Sequence, residues 1–216
     1  MIGFAVYSFV WSIVGRNCSK VDQIWSITPW IYAFHWSYLH YNAHGRLHHR
    51  LTLVTGLMLL WGLRLTFNFW RRGGYGNLIV HEEDHRWPVL RKMMNPVLFF
   101  FFNFFFIAFY QNFLLWLIAT PAYVVLQYKM HSLDVRDYCC TAMFLMFLVM
   151  ETIADEQQYM FQTYKHSLTP EQRRNHLEKD VRAVCTVALS IYLSIYLSIY
   201  LSFFLSFFLS FFLSLF

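Results

Sequence analysis

Charge is scarce in this sequence. Acidic and basic side chains make up only 13% of the chain, against 58% hydrophobic residues. Soluble domains average about 25% charged and 45–50% apolar residues, so this chain lacks the means to cover its apolar surface in water. Cysteine is sparse too. Cys139 and Cys140 are adjacent and enter an apolar run, Cys18 and Cys185 stand apart, and there is no CxxC pair. That excludes a disulfide framework or a cysteine-built metal site and leaves buried free thiols. The opening apolar segment has no basic stretch before it and no small-residue cleavage site; it reads as a first span or a trimmed remnant of one, not a signal peptide. The net charge of +5 is dispersed between apolar runs. Membrane topology accounts for that distribution, and a nucleic-acid partner is not implied.

What the chain has in quantity is aromatic and aliphatic residues, with 24 Phe, 14 Tyr and 8 Trp. Several runs approach or reach the ~20 residues that a helix needs to cross hydrocarbon. Candidate spans are Ile2 to Val14, Ile24 to Leu39, Leu51 to Trp70, Val97 to Leu117, Tyr138 to Gln158, and a last one inside Val181 to Phe216. The expected fold is an all-α polytopic transmembrane bundle of about six spans in a lipid bilayer. Pro29 falls inside the second span and Pro121 just past the fourth. Basic residues concentrate in the first, third and fifth loops, which carry Arg16, Lys20, Arg71, Arg72, Arg86, Arg91, Lys92, Lys165, Arg173, Arg174, Lys179 and Arg182. The second and fourth hold only Arg46, Arg50, Lys129 and Arg136. The positive-inside rule then puts the odd loops in the cytosol and the amino terminus on the other side.

The end of the chain repeats every four residues: Leu-Ser-Ile-Tyr, then Leu-Ser-Phe-Phe, then Leu-Ser-Leu-Phe. A tetranucleotide returns to reading frame after three units. CTAT repeated encodes Leu-Ser-Ile-Tyr, and CTTT repeated encodes Leu-Ser-Phe-Phe. We therefore expect residues 183–216 to be a translated microsatellite that can still form an apolar helix, and residues 1–182 to be the membrane domain proper. The competing expectation is an evolved helix with a serine packing stripe.

Ionisable groups inside a span are expensive and point to function. Glu151, Asp155, Gln158 and Gln162 share one helical face at positions i, i+4, i+7 and i+11, suited to gripping the hydroxyls and amide of a nucleotide; an ordinary helix end leaving the bilayer is the plainer alternative. Arg64, inside its span, suits a carboxylate or phosphate partner or snorkels to the interface. Arg71 and Arg72 precede three glycines in RRGGYG, a combination fit for an anion but also for a topology anchor. Asp22, in SKVDQIW, sits at the mouth of the second span as a helix N-terminal acid or a general acid. His44, His48 and His49 (HxxxHH) and His81 and His85 (HxxxH) could line a metal; the charge pattern puts the two groups on opposite sides of the membrane, and interfacial histidines are the favoured reading.

Three blocks in order, SKVDQIWSITPWIYA (19–33), LLWGLRLTFNFWRRGGYG (59–76) with EDHRWPVLR (83–91), and ETIADEQQYMFQTYKH (151–166), resemble a poorly characterised multi-span branch of the steroid 5-alpha-reductase superfamily. The resemblance implies a helical membrane enzyme of the endoplasmic reticulum. It would use NADPH to reduce a C=C bond conjugated to a carbonyl in a steroid- or lipid-like molecule. It implies cofactor contacts at Glu151, Asp155 and Gln158, with Arg64, Arg71 and Arg72 as further members of that site, and Asp22 beside the substrate carbonyl. A later Arg-His-Pro-Asn-type block, which supplies much of the cofactor site in that superfamily, is absent, and the repeat stands in its place. The expectation is a reductase-type chain impaired as written, with no metal and an open oligomeric state. A non-catalytic membrane scaffold is the alternative, and a di-iron hydroxylase a distant third.

Overall fold

A computed structural model describes residues 1–75, 83, 86–127 and 132–169. The tetrapeptide repeat, His81, His85 and Cys185 lie outside these. Every regular element among the described residues is helical. The chain divides into two compact units, Met1–Ser132 and Leu133–Phe216, and each is taken in turn.

In the first unit α1 (Ile2–Val14) turns its smallest residues inward, burying Ala5, Ser8 and Ser12. After a tight turn at Gly15–Ser19, α2 (Lys20–Trp25) is a helix of under two turns, and α3 (Thr28–His44) follows with Pro29 in its first turn. The expected second span is thus two helices, and Pro29 starts the second of them instead of interrupting a span. A proline fits there because the first amides of a helix need no partner within it. Gly45 ends α3 in the left-handed region at φ 66°, its amide returning to Tyr41 O.

α4 (His49–Arg71) begins with His48, whose Nδ1 accepts the Leu51 amide at 3.3 Å. It runs antiparallel to α3, joined by Ser26–Thr66 and Ser37–Thr55 hydroxyl pairs at 2.8 and 2.9 Å. Close approach depends on Gly62, where a Cβ would fall 2.6 Å from Ser26 O and 2.7 Å from the Trp30 ring. The helix stops in a Schellman turn: Gly73 N–H returns to Trp70 O and Gly74 N–H to Phe69 O, both at 2.9 Å, with Gly73 at φ 82°.

α5 (Arg86–Met93) is short and amphipathic. α6 (Pro96–Phe102), a π-helix (Asn103–Tyr110) and α7 (Gln111–Gln127) form one continuous rod. The rod passes through Pro121 where the sequence suggested a stop beforehand. Its inner face at that level is built from Ala119, Pro121, Ala122 and Val125, small residues that let neighbours close over the freed carbonyl. The π segment turns Asn103, Ile107 and Ala108 inward and leaves Phe104, Phe105, Phe106 and Phe109 exposed, as a surface facing acyl chains would be. Asn103 Nδ2 donates to Ser12 Oγ at 2.7 Å and Asn112 Nδ2 to Ser8 Oγ at 3.3 Å. Phe9 packs edge-on to Phe100 and Phe104 alongside.

The second unit contributes α8 (Val135–Ser167), which starts in a capping box in which Asp134 and Asp137 each accept the other's amide. At ~1.5 Å per residue its 33 residues reach roughly 50 Å, well beyond a ~30 Å hydrocarbon core. Among the described residues, three helices are long and apolar enough to span a membrane: His49–Arg71, Pro96–Gln127 and Val135–Ser167. The chain is an all-α membrane protein; α1 is apolar but shorter, and the sixth expected span lies outside the described residues.

The cap on α4 makes a prediction. His48→Leu removes the side-chain acceptor at the first turn and should cost about 1 kcal/mol or more, whereas His48→Ser restores an acceptor and should stay closer to wild type. Thermal unfolding in detergent distinguishes the two; equal losses would mean the cap contributes nothing.

Candidate functional site

The sharpest feature is on α8. Its less exposed stripe runs through Phe144, Leu148, Glu151, Ala154, Asp155, Gln158, Gln162 and Lys165, while Thr152, Ile153, Glu156 and Met160 are exposed. This is the 3.6-residue periodicity of a helix with one sheltered side. Glu151 is fully buried at 0% exposure, among the largest side chains so sequestered. Asp155 and Gln158 follow at one-turn intervals, half-buried, and the Gln158 Oε1 atom is shut from solvent with no hydrogen-bond partner among the described residues. The helix continues past the expected end at Gln158 to Ser167, so Gln162 and Lys165 lie on the same rod. Acceptor groups dominate this face. Hydroxyl and amide donors, as on a nucleotide's ribose and carboxamide, are what such a face can hold.

In the first unit Asp22 is half-buried on α2 between wholly buried Val21 and Gln23. Gln23 fixes that helix to the turn after α4: its Nε2 donates to Gly74 O at 3.3 Å, and the Tyr75 hydroxyl donates to Gln23 O at 2.9 Å. Lys20, 4% exposed, donates from Nζ to Gln23 Oε1 at 3.2 Å and sits 5.9 Å from the Trp11 ring; burial lowers its pKa. Asp22 and the RRGGY turn therefore occupy one end of this unit, as the sequence blocks suggested.

The expected anion cradle at Arg71–Gly74 reads differently in detail. Arg72 Nε donates to Asn68 O at 3.0 Å, and the Arg71 guanidinium lies 5.5 Å from the Phe67 ring centroid. The glycines serve the helix stop, and a Cβ on Gly74 would fall 2.4 Å from the Phe69 ring. Both arginines thus engage the carboxyl end of α4, where cations complement the helix dipole. Arg64 is half-buried about two turns before them.

Sequence reasoning missed a polar clamp beside α2. Glu83 accepts the Cys18 amide at 2.8 Å and both Nη atoms of Arg91 at 2.9 and 2.7 Å. Arg91 Nη2 also reaches Cys18 Sγ at 3.7 Å, and the thiol faces Asn103 Oδ1 at 3.9 Å. Burial first, and then the Glu83 carboxylate, push the Cys18 thiol up to about 11, while hydrogen bonding to Glu83 raises Arg91. Cys18, Val21, Trp87 and Ile107 close over this clamp. The available signal was the block EDHRWPVLR, in which Glu83 precedes α5 and Arg91, eight residues later, lies on it.

The histidines do not form a metal centre among the described residues: no three His, Cys, Asp or Glu side chains are grouped to hold an ion. Instead His40 stacks on His44 at 4.4 Å and meets His48 edge-on at 5.3 Å. His40 and His44 each hydrogen-bond through Nδ1 to a backbone carbonyl.

Comparison with known proteins gives a family but no named activity. Residues 8–194 match the family described as "Protein of unknown function (DUF1295)", a match that reaches into the first copies of the tetrapeptide repeat. The chain is 32% identical over 164 residues to "Uncharacterized protein C594.04c" of Schizosaccharomyces pombe, covering 74% of this chain and 46% of that protein. It thus spans about half the length of that relative. No solved structure matches it.

The clamp predicts a pH signature. Because the folded thiol has its pKa raised, the contribution of Cys18 is complete below the ordinary thiol range near 9 and is lost as pH climbs toward about 11. Wild-type protein should lose stability over that interval relative to Cys18→Ala, and exposed Cys139 should react with iodoacetamide at pH 8 while Cys18 stays unmodified. Parallel pH curves for the two proteins would contradict this.

Proposed function

The chain belongs to the DUF1295 family, and from that premise we propose that it derives from NADPH-dependent membrane reductases acting on a C=C bond conjugated to a carbonyl in a lipid-like molecule. One observation carries the reading: a carboxylate, Glu151, wholly buried on an apolar helix with Asp155 and Gln158 aligned behind it. An ionisable group sequestered on a membrane helix points to function, and a nucleotide rich in hydroxyl donors suits the acceptors aligned on this face.

The fit is chemical. Glu151 and Asp155 would accept from ribose hydroxyls, and the unpartnered Gln158 Oε1 from a carboxamide N–H. The resemblance, not the placement of the units, assigns Arg64, Arg71 and Arg72 to phosphate oxygens, a role that their charge suits. The Nη groups of Arg72 remain available because its bond to Asn68 uses Nε. When bound, NADPH supplies a hydride to the β-carbon of the enone. Asp22, protonated, would donate to the carbonyl oxygen as negative charge develops there. Gln23, Tyr75 and Gly74 hold the helix that carries Asp22, and preorganisation of that kind is what an oxyanion donor requires.

The test is a thermal-shift titration with NADPH on detergent-purified protein. Wild type should be stabilised in a saturable manner, and Asp155→Ala and Glu151→Gln should raise the midpoint of the titration about tenfold or more, equivalent to ~1.4 kcal/mol. No stabilisation by NADPH at any concentration would overturn the reading and leave a non-catalytic membrane role.

A further inference from the structure

The core of the first unit contains a donor and an acceptor that no described residue satisfies. Asn112, on α7, is 0% exposed. Its Nδ2 donates to Ala108 O at 2.8 Å and to Ser8 Oγ at 3.3 Å. Because a carbonyl only accepts, the first of these bonds fixes which end of the amide is nitrogen. Oδ1 then has no hydrogen-bond partner among the described residues. Ser8 is 2% exposed and uses its oxygen to accept from Asn112, so its own proton is left without an acceptor among the described residues.

A third group abuts the same face of α1. Phe4, one turn before Ser8, packs edge-on against Tyr32 with ring centroids 5.8 Å apart. The Tyr32 hydroxyl is buried and has no partner among the described residues. The Asn112 acceptor and the Ser8 proton thus meet between α1 and α7, and Tyr32 packs on Phe4 one turn along α1. The sites are too deep for bulk water: each residue is 9% exposed or less. In a hydrocarbon environment orphaned polar atoms of this kind carry a cost that protein partners normally remove.

The donor set selects the ligand. A cation would find one amide oxygen and one hydroxyl but would face the Asn112 amide nitrogen. An anion or a bare carbonyl could accept from Ser8 and would leave Asn112 Oδ1 orphaned. A hydroxyl group accepts from Ser8 and donates to Asn112 Oδ1 at once. We propose that Ser8 and Asn112 form a buried site for a hydroxyl group, brought by an internal water or by the alcohol head of a membrane lipid, with Tyr32, packed on Phe4 one turn along α1, as its aromatic reporter. This site is separate from the acidic face of α8 and stands whether or not the chain binds NADPH.

Two measurements on the full chain in detergent distinguish the sources. Radiolytic footprinting converts a resident water into hydroxyl radicals beside its neighbours. If water occupies the site, Tyr32 oxidises several-fold faster than the similarly buried Phe144 after correction for ring reactivity, and the excess disappears in Asn112→Leu. If a lipid alcohol occupies it, Tyr32 stays quiet, and hexadecanol raises the unfolding midpoint by about 2–4 °C more than hexadecyl methyl ether does, a difference absent in Asn112→Leu. Should Asn112→Leu fail to fold, Ser8→Ala serves in both arms, since it removes one hydroxyl from a helix face already built from small residues. A quiet Tyr32 together with equal effects of the alcohol and its ether would overturn the proposal.

Discussion

A polar group carried into hydrocarbon must find its partner within the protein, and much of this architecture follows from that constraint. In lipid, apolar side chains gain little by meeting one another. What joins the helices is therefore a set of small residues and hydrogen bonds: Ser12 with Asn103, Ser8 with Asn112, Ser26 with Thr66, Ser37 with Thr55. Each such bond is worth only ~0.6 kcal/mol on average in membranes, but together they fix which faces meet. Gly62 lets α3 and α4 close until the Ser26 and Thr66 hydroxyls touch. The phenylalanines of the π segment stay outside.

The same constraint organises the end of the first unit that carries Asp22. Short α2 has too few residues to hold itself, and it is fastened on two sides. Gln23 and Tyr75 tie it to the turn after α4, and the Glu83 carboxylate gathers the Cys18 amide and Arg91. Glu83 is 12% exposed at its side chain and Arg91 38%; a pair that sheltered acts as a fastener because removing either partner strands the other. A rigid seat for one acidic residue is the consequence.

The helical membrane class was legible because it rests on composition and run length alone. The run Leu51 to Trp70 became α4 almost unchanged, and Arg71 and Arg72 stand at its end, where a topology anchor would. The purpose of the glycines in RRGGY was not legible: the Schellman bonds depend on where the helix stops, not on which residues follow. Pro29 and Pro121 misled in opposite directions, since a proline's effect depends on whether it enters a first turn or is covered by small neighbours. On α8 the spacing of Glu151, Asp155 and Gln158 was readable as a shared face, whereas the complete burial of Glu151 needed the fold. The Glu83–Arg91–Cys18 clamp and the Ser8–Asn112 pair join residues distant in sequence, and no local pattern announces such contacts.

The central claim is that the acidic face of α8 is turned away from lipid. Spin labels placed singly at Asp155, Gln158, Ile153 and Met160 in proteoliposomes test it through their collision rate with oxygen, which concentrates in the bilayer. The account predicts high oxygen accessibility at Ile153 and Met160 and clearly lower values at Asp155 and Gln158. Equal, lipid-like accessibility at all four positions would contradict it.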